Sequence, residues 1–300
     1  MQGIVDSHGE LGTSGNKIVD KDGRPFVLRG MSLFWSQWMP QFYSAGTVKW
    51  LHRDWGCNAV RAALAVNRGG YKHDPEAEWQ KIATVIEAAK TENIYVVIDW
   101  HSHEMELESA ISFFDKLSRK YENLPNLIYE TWNEPYPRYE WATDIKPYHT
   151  EVIQAIRANS PDSLIVVGTP FYSQRPDEAA SDPLTFGNIA YSMHFYAASH
   201  RGDRRDLCAA AQSEIPLLAS EYGTCESSGD GAFDPLETER WWQLLRQHDI
   251  GHFNWSIADK VETAAALAPG ASPEGNWSLA DLTESGKLVR SYLRSQVANR

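Results

Sequence analysis

Two glutamates in this sequence each close a short apolar run. Glu134 lies in the sequence YETWNEP (129–135), and Glu221 lies in LLASEYG (217–223). Each has an ordinary explanation, Glu134 as a first-turn acid of a helix behind a proline and Glu221 as a salt-bridged rim residue. Two carboxyl groups about 5 to 5.5 Å apart would instead suit retaining hydrolysis of a glycosidic bond. One would protonate the leaving oxygen while the other attacks the anomeric carbon.

Other polar or aromatic side chains follow the same kind of apolar run. They are Arg61, Asp99, His101, His103, Asn133, His194, Tyr196, Asn254 and Trp255. Ionisable groups that gather in one place are unusual in a packed interior and typical of a catalytic site. Arg61 has few ordinary uses on a buried strand, because a buried guanidinium needs partners. Asp99 and His103 have the alternative role of bracing a neighbour.

Eight apolar runs carry these residues. They cover residues 27–31, 59–64, 94–99, 127–132, 164–169, 189–195, 217–222 and 252–256. Segments with helical periodicity lie between them, and the clearest begins at Asp74-Pro75-Glu76, which is a cap residue, a proline and an acid. Alternation of strand and helix predicts a parallel sheet of the α/β class, and eight units predict a closed (β/α)8 TIM barrel.

The chain is predicted to form one domain over residues 1–300. Residues 1–26 are expected to cap the barrel with a short β-hairpin, whose strands 17–19 and 26–28 flank the turn Asp22-Gly23. Without a linker or an internal repeat, no separate carbohydrate-binding module is expected. The loops after the strands are long, at 197–205, 223–234 and 259–277. Active sites of such barrels lie at the carboxyl ends of the strands, where these loops begin.

The amino-acid composition disfavours some classes of binding partner and favours others. The 300 residues are 42% hydrophobic and 23% charged, with a net charge of -12 that disfavours nucleic acid and anionic membranes. The 12 Trp and 13 Tyr offer flat faces that suit a sugar.

No run reaches the roughly 18 apolar residues of a membrane helix. The first residues form no signal peptide, so export would require a leader removed before residue 1. Cys57 is expected to be a buried free thiol, whereas a bridge between Cys208 and Cys225 stays open.

Together these motifs resemble glycoside hydrolase family 5, the cellulase family. The sequences NEP (133–135) and EYG (221–223) resemble the segments of its two glutamates at the fourth and seventh strands. The segments LRGMS (28–32), NAVR (58–61), DWHSH (99–103), MHFY (193–196) and NWS (254–256) also resemble the family in order and spacing. The resemblance covers nearly the whole chain and is strongest to secreted bacterial endoglucanases.

The resemblance implies a role for each matching residue. Glu134 would be the acid/base and Glu221 the nucleophile of an endo-β-1,4-glucanase that acts by double displacement with retention. Asn133 would bind the 2-hydroxyl beside the scissile bond, while Arg61 and Tyr196 would hold the nucleophile ionised and oriented. The other substrate-binding residues would be His101, His194, Trp255, Lys260, Trp38 and Tyr172. The resemblance implies neither a metal nor a cofactor, and we expect a secreted monomer whose partner is a β-1,4-glucan.

Three departures from the family pattern leave the preferred polymer open. Tyr222 and Tyr172 stand where relatives carry tryptophan, and Phe34 stands where relatives often carry histidine. Retaining hydrolysis of β-mannan, xylan, xyloglucan or mixed-linkage glucan therefore stays as an alternative. A metal-dependent amidohydrolase is the alternative from another reaction class, because His101 and His103 have its His-x-His spacing. That class also requires a bridging lysine and further histidines, of which only His194 is evident.

Overall fold

The computed structural model describes residues 3–298 and contains a closed eight-stranded barrel preceded by a two-stranded hairpin. The hairpin consists of β1 (Gly12–Ser14) and β2 (Lys17–Val19). The barrel strands are β3 (Arg29–Leu33), β4 (Ala59–Ala65), β5 (Tyr95–His101), β6 (Leu127–Glu130), β7 (Ile165–Val167), β8 (Ile189–Tyr196), β9 (Leu217–Gly223) and β10 (Gly251–Ile257). All neighbours in the barrel are parallel, and β10 closes it by pairing with β3. The predicted (β/α)8 barrel is therefore confirmed.

Helices surround the barrel and follow the signals in the sequence. They are α1 (Ile4–His8), α2 (Ala45–Arg53), α3 (Pro75–Glu92), α4 (Leu107–Lys120), α5 (Lys146–Arg157), α6 (Pro170–Ser173), α7 (Pro176–Ser181), α8 (Gly202–Gln212), α9 (Pro235–Gln247) and α10 (Glu284–Ala298), with shorter turns at Pro40–Phe42, Trp141–Ile145 and Leu279–Asp281. Asp74 caps α3 by accepting a hydrogen bond from the N–H of Ala77 at 3.1 Å. Asp234 caps α9 in the same way at 2.9 Å from the N–H of Glu237.

Apolar packing explains why the strands are continuous apolar runs. Strands β4, β5, β8, β9 and β10 are buried at every residue, since one face meets the barrel interior and the other meets the helices. At the amino end of the barrel, interior residues such as Val97, Ile128 and Phe253 pack against Leu11 and Ile18 of the N-terminal segment. This segment fills the amino end of the barrel and leaves the carboxyl end open.

Both described ends of the chain lie at the amino end of the barrel. The N–H of Val5 in α1 donates to the carbonyl oxygen of Asn93, just before β5, at 3.3 Å. Near the other end, Val297 of α10 lies against Gly56, which precedes β4. The face that carries the loops after the strands is on the opposite side.

The N-terminal hairpin differs from the predicted one. Its strands are β1 and β2, whereas the predicted pairing around Asp22-Gly23 is reduced to one isolated bridge between Val19 and Pro25. The Asp20 carboxylate accepts hydrogen bonds from the N–H groups of Asp22 and Arg24, both at 3.0 Å. Pro25 has no N–H to donate to a ladder. The Asp20 side chain therefore supports this turn together with two backbone hydrogen bonds across it, from the N–H of Asp20 to Arg24 and from the N–H of Phe26 to Ile18, both at 2.9 Å.

The fold bears on the membrane-spanning segments and the three cysteines considered above. Within residues 3–298, no helix is both long and apolar enough to cross a membrane. Cys57, Cys208 and Cys225 are all free and buried. The prediction for Cys57 is confirmed, and Cys208 and Cys225 form no bridge.

Candidate active site

The carboxyl ends of the barrel strands open into one cleft with a volume of about 710 Å³. Ten of the eleven residues predicted to have a catalytic or substrate-binding role line it, namely Trp38, His101, Asn133, Glu134, Tyr172, His194, Tyr196, Glu221, Trp255 and Lys260. Arg61 is the exception, because it lies fully buried on β4. The structure therefore brings the predicted residues together on one face.

Glu134 lies just beyond the end of β6, with its side chain 15% exposed. Its Oε1 is 2.9 Å from Nδ1 of His194, and its Oε2 is 3.5 Å from Nδ1 of His103. The other ring nitrogen of His194 is 3.0 Å from the hydroxyl oxygen of Ser220. Burial lowers the pKa of His194 to about 4, so its ring is neutral at neutral pH. A neutral ring donates one of these two hydrogen bonds and accepts the other.

Glu221 lies within β9 and accepts two hydrogen bonds. The Tyr196 hydroxyl donates to its Oε1 at 2.8 Å, and Nη1 of Arg61 donates to its Oε2 at 3.2 Å. Burial raises the pKa of Tyr196 well above its usual value, so the hydroxyl keeps the proton that it donates. Both contacts favour the ionised form of Glu221.

The carboxyl groups of Glu134 and Glu221 face the same point in the cleft. An oxygen of one lies within 4.8 Å of an oxygen of the other. Burial is the largest cause that raises the pKa of each, and the charge of Glu134 raises that of Glu221 further. Two carboxyls this close titrate as a pair. Within this pair, the hydrogen bonds from Arg61 and Tyr196 favour the anion of Glu221.

Arg61 joins the ends of several strands beneath the cleft. Its Nε and Nη2 donate to the two carboxylate oxygens of Glu130 at 2.7 and 3.3 Å, and Nη2 also donates to Oδ1 of Asn133 at 2.6 Å. The same Nη2 is 2.8 Å from Oδ2 of Asp99. Burial raises the pKa of Asp99 to about 7, although the Arg61 charge opposes the shift. The guanidinium thus holds Asn133 and Glu221 in fixed positions.

Glu130 is the member of this network that sequence reasoning missed. It is fully buried at the end of β6, and burial raises its pKa despite the Arg61 charge. The available signal was a charged residue at the end of the apolar run 127–130, two strands along the barrel from a buried arginine.

Aromatic rings form one wall of the cleft. Trp255 is 5% exposed and stacks on His101, with ring centroids 5.2 Å apart and planes 7° from parallel. Trp35 meets His101 edge-on at 4.2 Å, and Nδ1 of His101 is fixed 2.6 Å from Oδ2 of Asp99. The indole of Trp255 is therefore held on one face and offers its remaining surface to the cleft.

Three predicted residues lie at the edges of the cleft. Trp38 is 46% exposed and lies 5.1 Å from Trp35 between ring centroids. Lys260 forms an ion pair with Glu262 at 3.1 Å. Tyr172 lies in the single turn α6, where its φ is 60°, and its N–H donates to the carbonyl oxygen of Pro135 at 2.9 Å. Tyr172 is thus attached to the segment that carries Glu134.

Comparison with known proteins decides the family. Residues 19–261 match the family model described as cellulase, glycosyl hydrolase family 5. The chain belongs to this family.

Relatives within family 5 cover most of this chain. Endoglucanase Z of Dickeya dadantii is 42% identical over 293 residues, which are 95% of this chain and 66% of that protein. A solved structure from Cytophaga hutchinsonii is 47% identical with a TM-score of 0.98, covering 99% of this chain and 98% of the other. The catalytic domain of a Thermobifida fusca endoglucanase in complex with cellotetraose is 32% identical with a TM-score of 0.94, covering 97% and 99%. The chain spans 65%, 66% and 58% of the length of three curated relatives, including Endoglucanase Z.

The three departures from the family 5 pattern lie in different surroundings. Tyr222 is fully buried, and its hydroxyl accepts a hydrogen bond from Nε1 of Trp242 at 3.0 Å behind the barrel wall. Tyr172 and Phe34 both line the cleft. The change at Tyr222 therefore affects packing, whereas the other two change the surface that meets a ligand.

One group of residues in this family 5 cleft has the spacing of metal ligands. Glu134, His194 and Glu221 each present a ligand-type atom, and these atoms lie within 4.8 Å of one another. Both ring nitrogens of His194 already have partners in Glu134 and Ser220. Lys260, a lysine that lines the cleft, forms its ion pair with Glu262 and with neither glutamate of this group.

Proposed function

We propose that this chain is an endo-β-1,4-glucanase that hydrolyses internal glucosidic bonds with retention of configuration. The observation that carries the proposal is the approach of the two carboxyl groups to within 4.8 Å. Retaining glycosidases hold their carboxyls about 5 to 5.5 Å apart, whereas inverting enzymes need about 6.5 to 9.5 Å to admit a water. The named endoglucanases among its relatives support a β-glucan as the substrate.

In this proposal Glu134 is the acid/base and Glu221 is the nucleophile. Within residues 3–298 no lysine or arginine forms an ion pair with Glu134, whose neighbours are His103 and His194, so it keeps a proton for the leaving oxygen. Glu221 is ionised by Arg61 and Tyr196 and attacks the anomeric carbon to give a covalent glycosyl-enzyme. Glu134 then removes a proton from the water that hydrolyses this intermediate.

The remaining residues bind the sugar in this proposal. Asn133 is fixed through Oδ1 by Arg61, which leaves its side-chain amide to donate to the 2-hydroxyl. Trp255 is the platform beneath the reacting unit. His101 and His194 border the same unit, while Trp38, Lys260 and Tyr172 contact units farther along the chain.

The setting of the enzyme is also part of the proposal. We infer that the protein acts outside the cell as a monomer, that residues 1–300 form one catalytic domain, and that no separate sugar-binding module lies within them. Its net charge of -12 opposes nucleic acid as a partner. Neither carboxyl role requires a metal or a cofactor.

Hydrolysis of a panel of soluble polysaccharides with product sizing tests the proposal. Carboxymethyl cellulose or mixed-linkage β-glucan should be shortened to oligosaccharides, while β-mannan, xylan and xyloglucan should react more slowly. Release of glucose from chain ends alone would contradict an internal cut. A sample dialysed against a chelator should keep its rate, and a loss restored by zinc would favour the amidohydrolase alternative.

A further inference from the structure

The end of the cleft formed by the loops after β7 and β8 carries an arginine that the catalytic mechanism does not use. Arg204 lines the cleft there together with Gln174 and His200. In the closed strand order, β7 lies across the barrel from β3, whose loop carries Trp38, and one strand, β9, separates β8 from β10, whose loop carries Lys260. The loops after β7 and β8 therefore place Arg204 on the side of the cleft away from Trp38 and beside the segment that carries Tyr172.

The cationic side chains around the cleft differ in how their charge is balanced. Lys260 is paired with Glu262 at 3.1 Å, and Arg61 is buried among three carboxylates. Within residues 3–298, Arg204 forms no ion pair, and its one side-chain hydrogen bond runs from Nη1 to the carbonyl oxygen of Gln174 at 3.4 Å. A bond of that length is weak, so most donors of the guanidinium stay available.

A second donor stands beside this arginine. Nδ1 of His200 accepts a hydrogen bond from the N–H of Tyr196 at 2.9 Å. Burial and then the charge of Arg204 lower the pKa of His200 to about 4, so the ring is neutral at neutral pH. A neutral ring that accepts at Nδ1 carries its proton at Nε2. The end of the cleft thus combines a cation with a neutral N–H donor.

We propose that this end of the cleft binds a carboxylate carried by one glucose unit of the glucan, with Arg204 as its partner. The proposal rests on the endoglucanase activity proposed above and adds a class of substrate, a β-glucan that carries acidic units. A carboxylate suits Arg204 because a guanidinium can donate two parallel hydrogen bonds to its oxygens. A hydroxyl offers a single oxygen and would not neutralise the guanidinium charge.

The test compares three sets of cello-oligosaccharides of equal length. One set is unmodified, one carries a single C6 carboxyl per chain, and one carries a single carboxymethyl ether per chain. We expect the wild-type products to place the charged unit preferentially at one position relative to the cleaved bond, as read by mass spectrometry. The C6 and carboxymethyl sets distinguish an in-chain uronic acid from a carboxylate on a longer tether.

Variants at two arginines show whether Arg204 is the cause. Arg204→Gln should lower the ratio of kcat/KM on charged chains to kcat/KM on unmodified chains by about 3- to 10-fold. Arg204→Lys should lower this ratio less, because the positive charge remains. Arg201→Gln is the matched control, because Arg201 is 55% exposed and pairs with Asp234 outside the lining of the cleft. That variant should leave the ratio unchanged.

Calorimetric binding separates this inference from the proposed activity. Suppose that the wild type fails to cleave unmodified chains but binds charged chains more tightly than the Arg204 variant does. The proposed endoglucanase activity is then wrong, and the proposed carboxylate site is supported. If the wild type cleaves unmodified chains without any preferred position for the charged unit, the carboxylate site is wrong. An equal fall on both kinds of chain in Arg204→Gln would also overturn it, since Arg204 would then recognise hydroxyls.

Discussion

At the scale of single residues, the charge of Arg61 controls the ionisation of the catalytic pair. Its guanidinium is fully buried, donates to Glu130, Asn133 and Glu221, and forms an ion pair with Asp99. A buried cation stays stable only while such partners compensate it. Any change in one carboxylate of this group therefore alters how strongly Arg61 favours the anion of Glu221.

Glu130→Gln is expected to move the pH–rate profile to lower pH. With one negative charge removed, the Arg61 charge acts more strongly on Glu221 and lowers the pKa of Glu221. The acid limb of the profile therefore moves to lower pH. The Glu130 charge also raises the pKa of Glu134, so its removal lowers that pKa. The alkaline limb therefore moves to lower pH as well. Each limb should shift by about half to one pH unit. The measurement is kcat/KM against pH, which reports the groups of the free enzyme.

Glu78→Gln is the matched control for this change. Glu78 is another buried acid with its own cation, Lys81, at 2.5 Å on α3. Its variant should leave both limbs in place. A Glu130→Gln profile that stays fixed, or moves to higher pH, would contradict the role given to Arg61.

Azide should separate the roles of the two catalytic glutamates. A general acid contributes about 100- to 10,000-fold, and more for poor leaving groups. Glu134→Ala should therefore lose polymer cleavage but still react with an aryl glycoside of an acidic phenol, and azide should then give a product of retained β configuration. Glu221→Ala removes the covalent intermediate, so azide attacks directly and gives the inverted α product. Proton NMR of the two adducts reads the configuration, and the same anomer from both variants would reject the assignment.

At the scale of elements, the sequence predicted the strands better than it predicted the N-terminal hairpin. Each barrel strand is buried on both faces, which gives a continuous apolar run that is visible without any knowledge of the fold. The turn at Asp22-Gly23 is real and backbone hydrogen bonds cross it, but the Asp20 carboxylate takes the N–H of Arg24 that a longer ladder would need. Local turn residues cannot predict which strand pairs form. Glu130 was missed for a related reason, since its partner Arg61 lies 69 residues away.

The turn α6 holds the segment that carries Asn133 and Glu134, so a change within it should reach the active site. The Ser173 hydroxyl donates to the carbonyl oxygen of Asn133 at 2.7 Å and accepts from the N–H of Thr169 at 3.2 Å, and all of these groups are buried. Ser173→Ala leaves the carbonyl oxygen of Asn133 and the N–H of Thr169 without this partner, so it should lower the free energy of unfolding by about 1 to 3 kcal/mol. The rate kcat should fall as well, because Asn133 is less well fixed.

Urea denaturation and steady-state kinetics test the Ser173 variant. Ser181→Ala on α7 is the control, because that hydroxyl is exposed and donates only to the carbonyl oxygen of Glu178 at 2.7 Å. It should change the free energy of unfolding by less than about 0.5 kcal/mol. If Ser173→Ala were as mild as this control, α6 would not support the catalytic segment.

At the scale of the whole molecule, the last helix completes the ring around the barrel. Tyr292 of α10 stacks on Trp242 of α9, with ring centroids 3.8 Å apart and planes 4° from parallel. Arg290 of the same helix donates through Nε to Asp54 at the end of α2 at 2.7 Å. The helix thus joins the outer layer across the pairing of β10 with β3.

Tyr292→Ala should destabilise the protein by about 3 to 5 kcal/mol, because it opens a cavity in this seam. Tyr292 is 7% exposed, and the neighbouring ring of Trp242 would lose its packing partner. Equilibrium unfolding in urea measures the loss. Tyr292→Phe keeps the stacked ring and should stay within about 1 kcal/mol of the wild type, so similar losses from both substitutions would show that the stacking is not the cause.

The position of the two described ends has a practical consequence for immobilised enzyme. Val5 lies beside Asn93 and Val297 lies against Gly56, both at the amino end of the barrel, while the cleft opens at the carboxyl end. A bead or electrode attached near either end would therefore hold every molecule with its cleft turned toward the liquid. A long polymer could approach the mouth from solution without meeting the support, whereas random coupling through surface lysines would place Lys260, at the cleft itself, among the points of attachment.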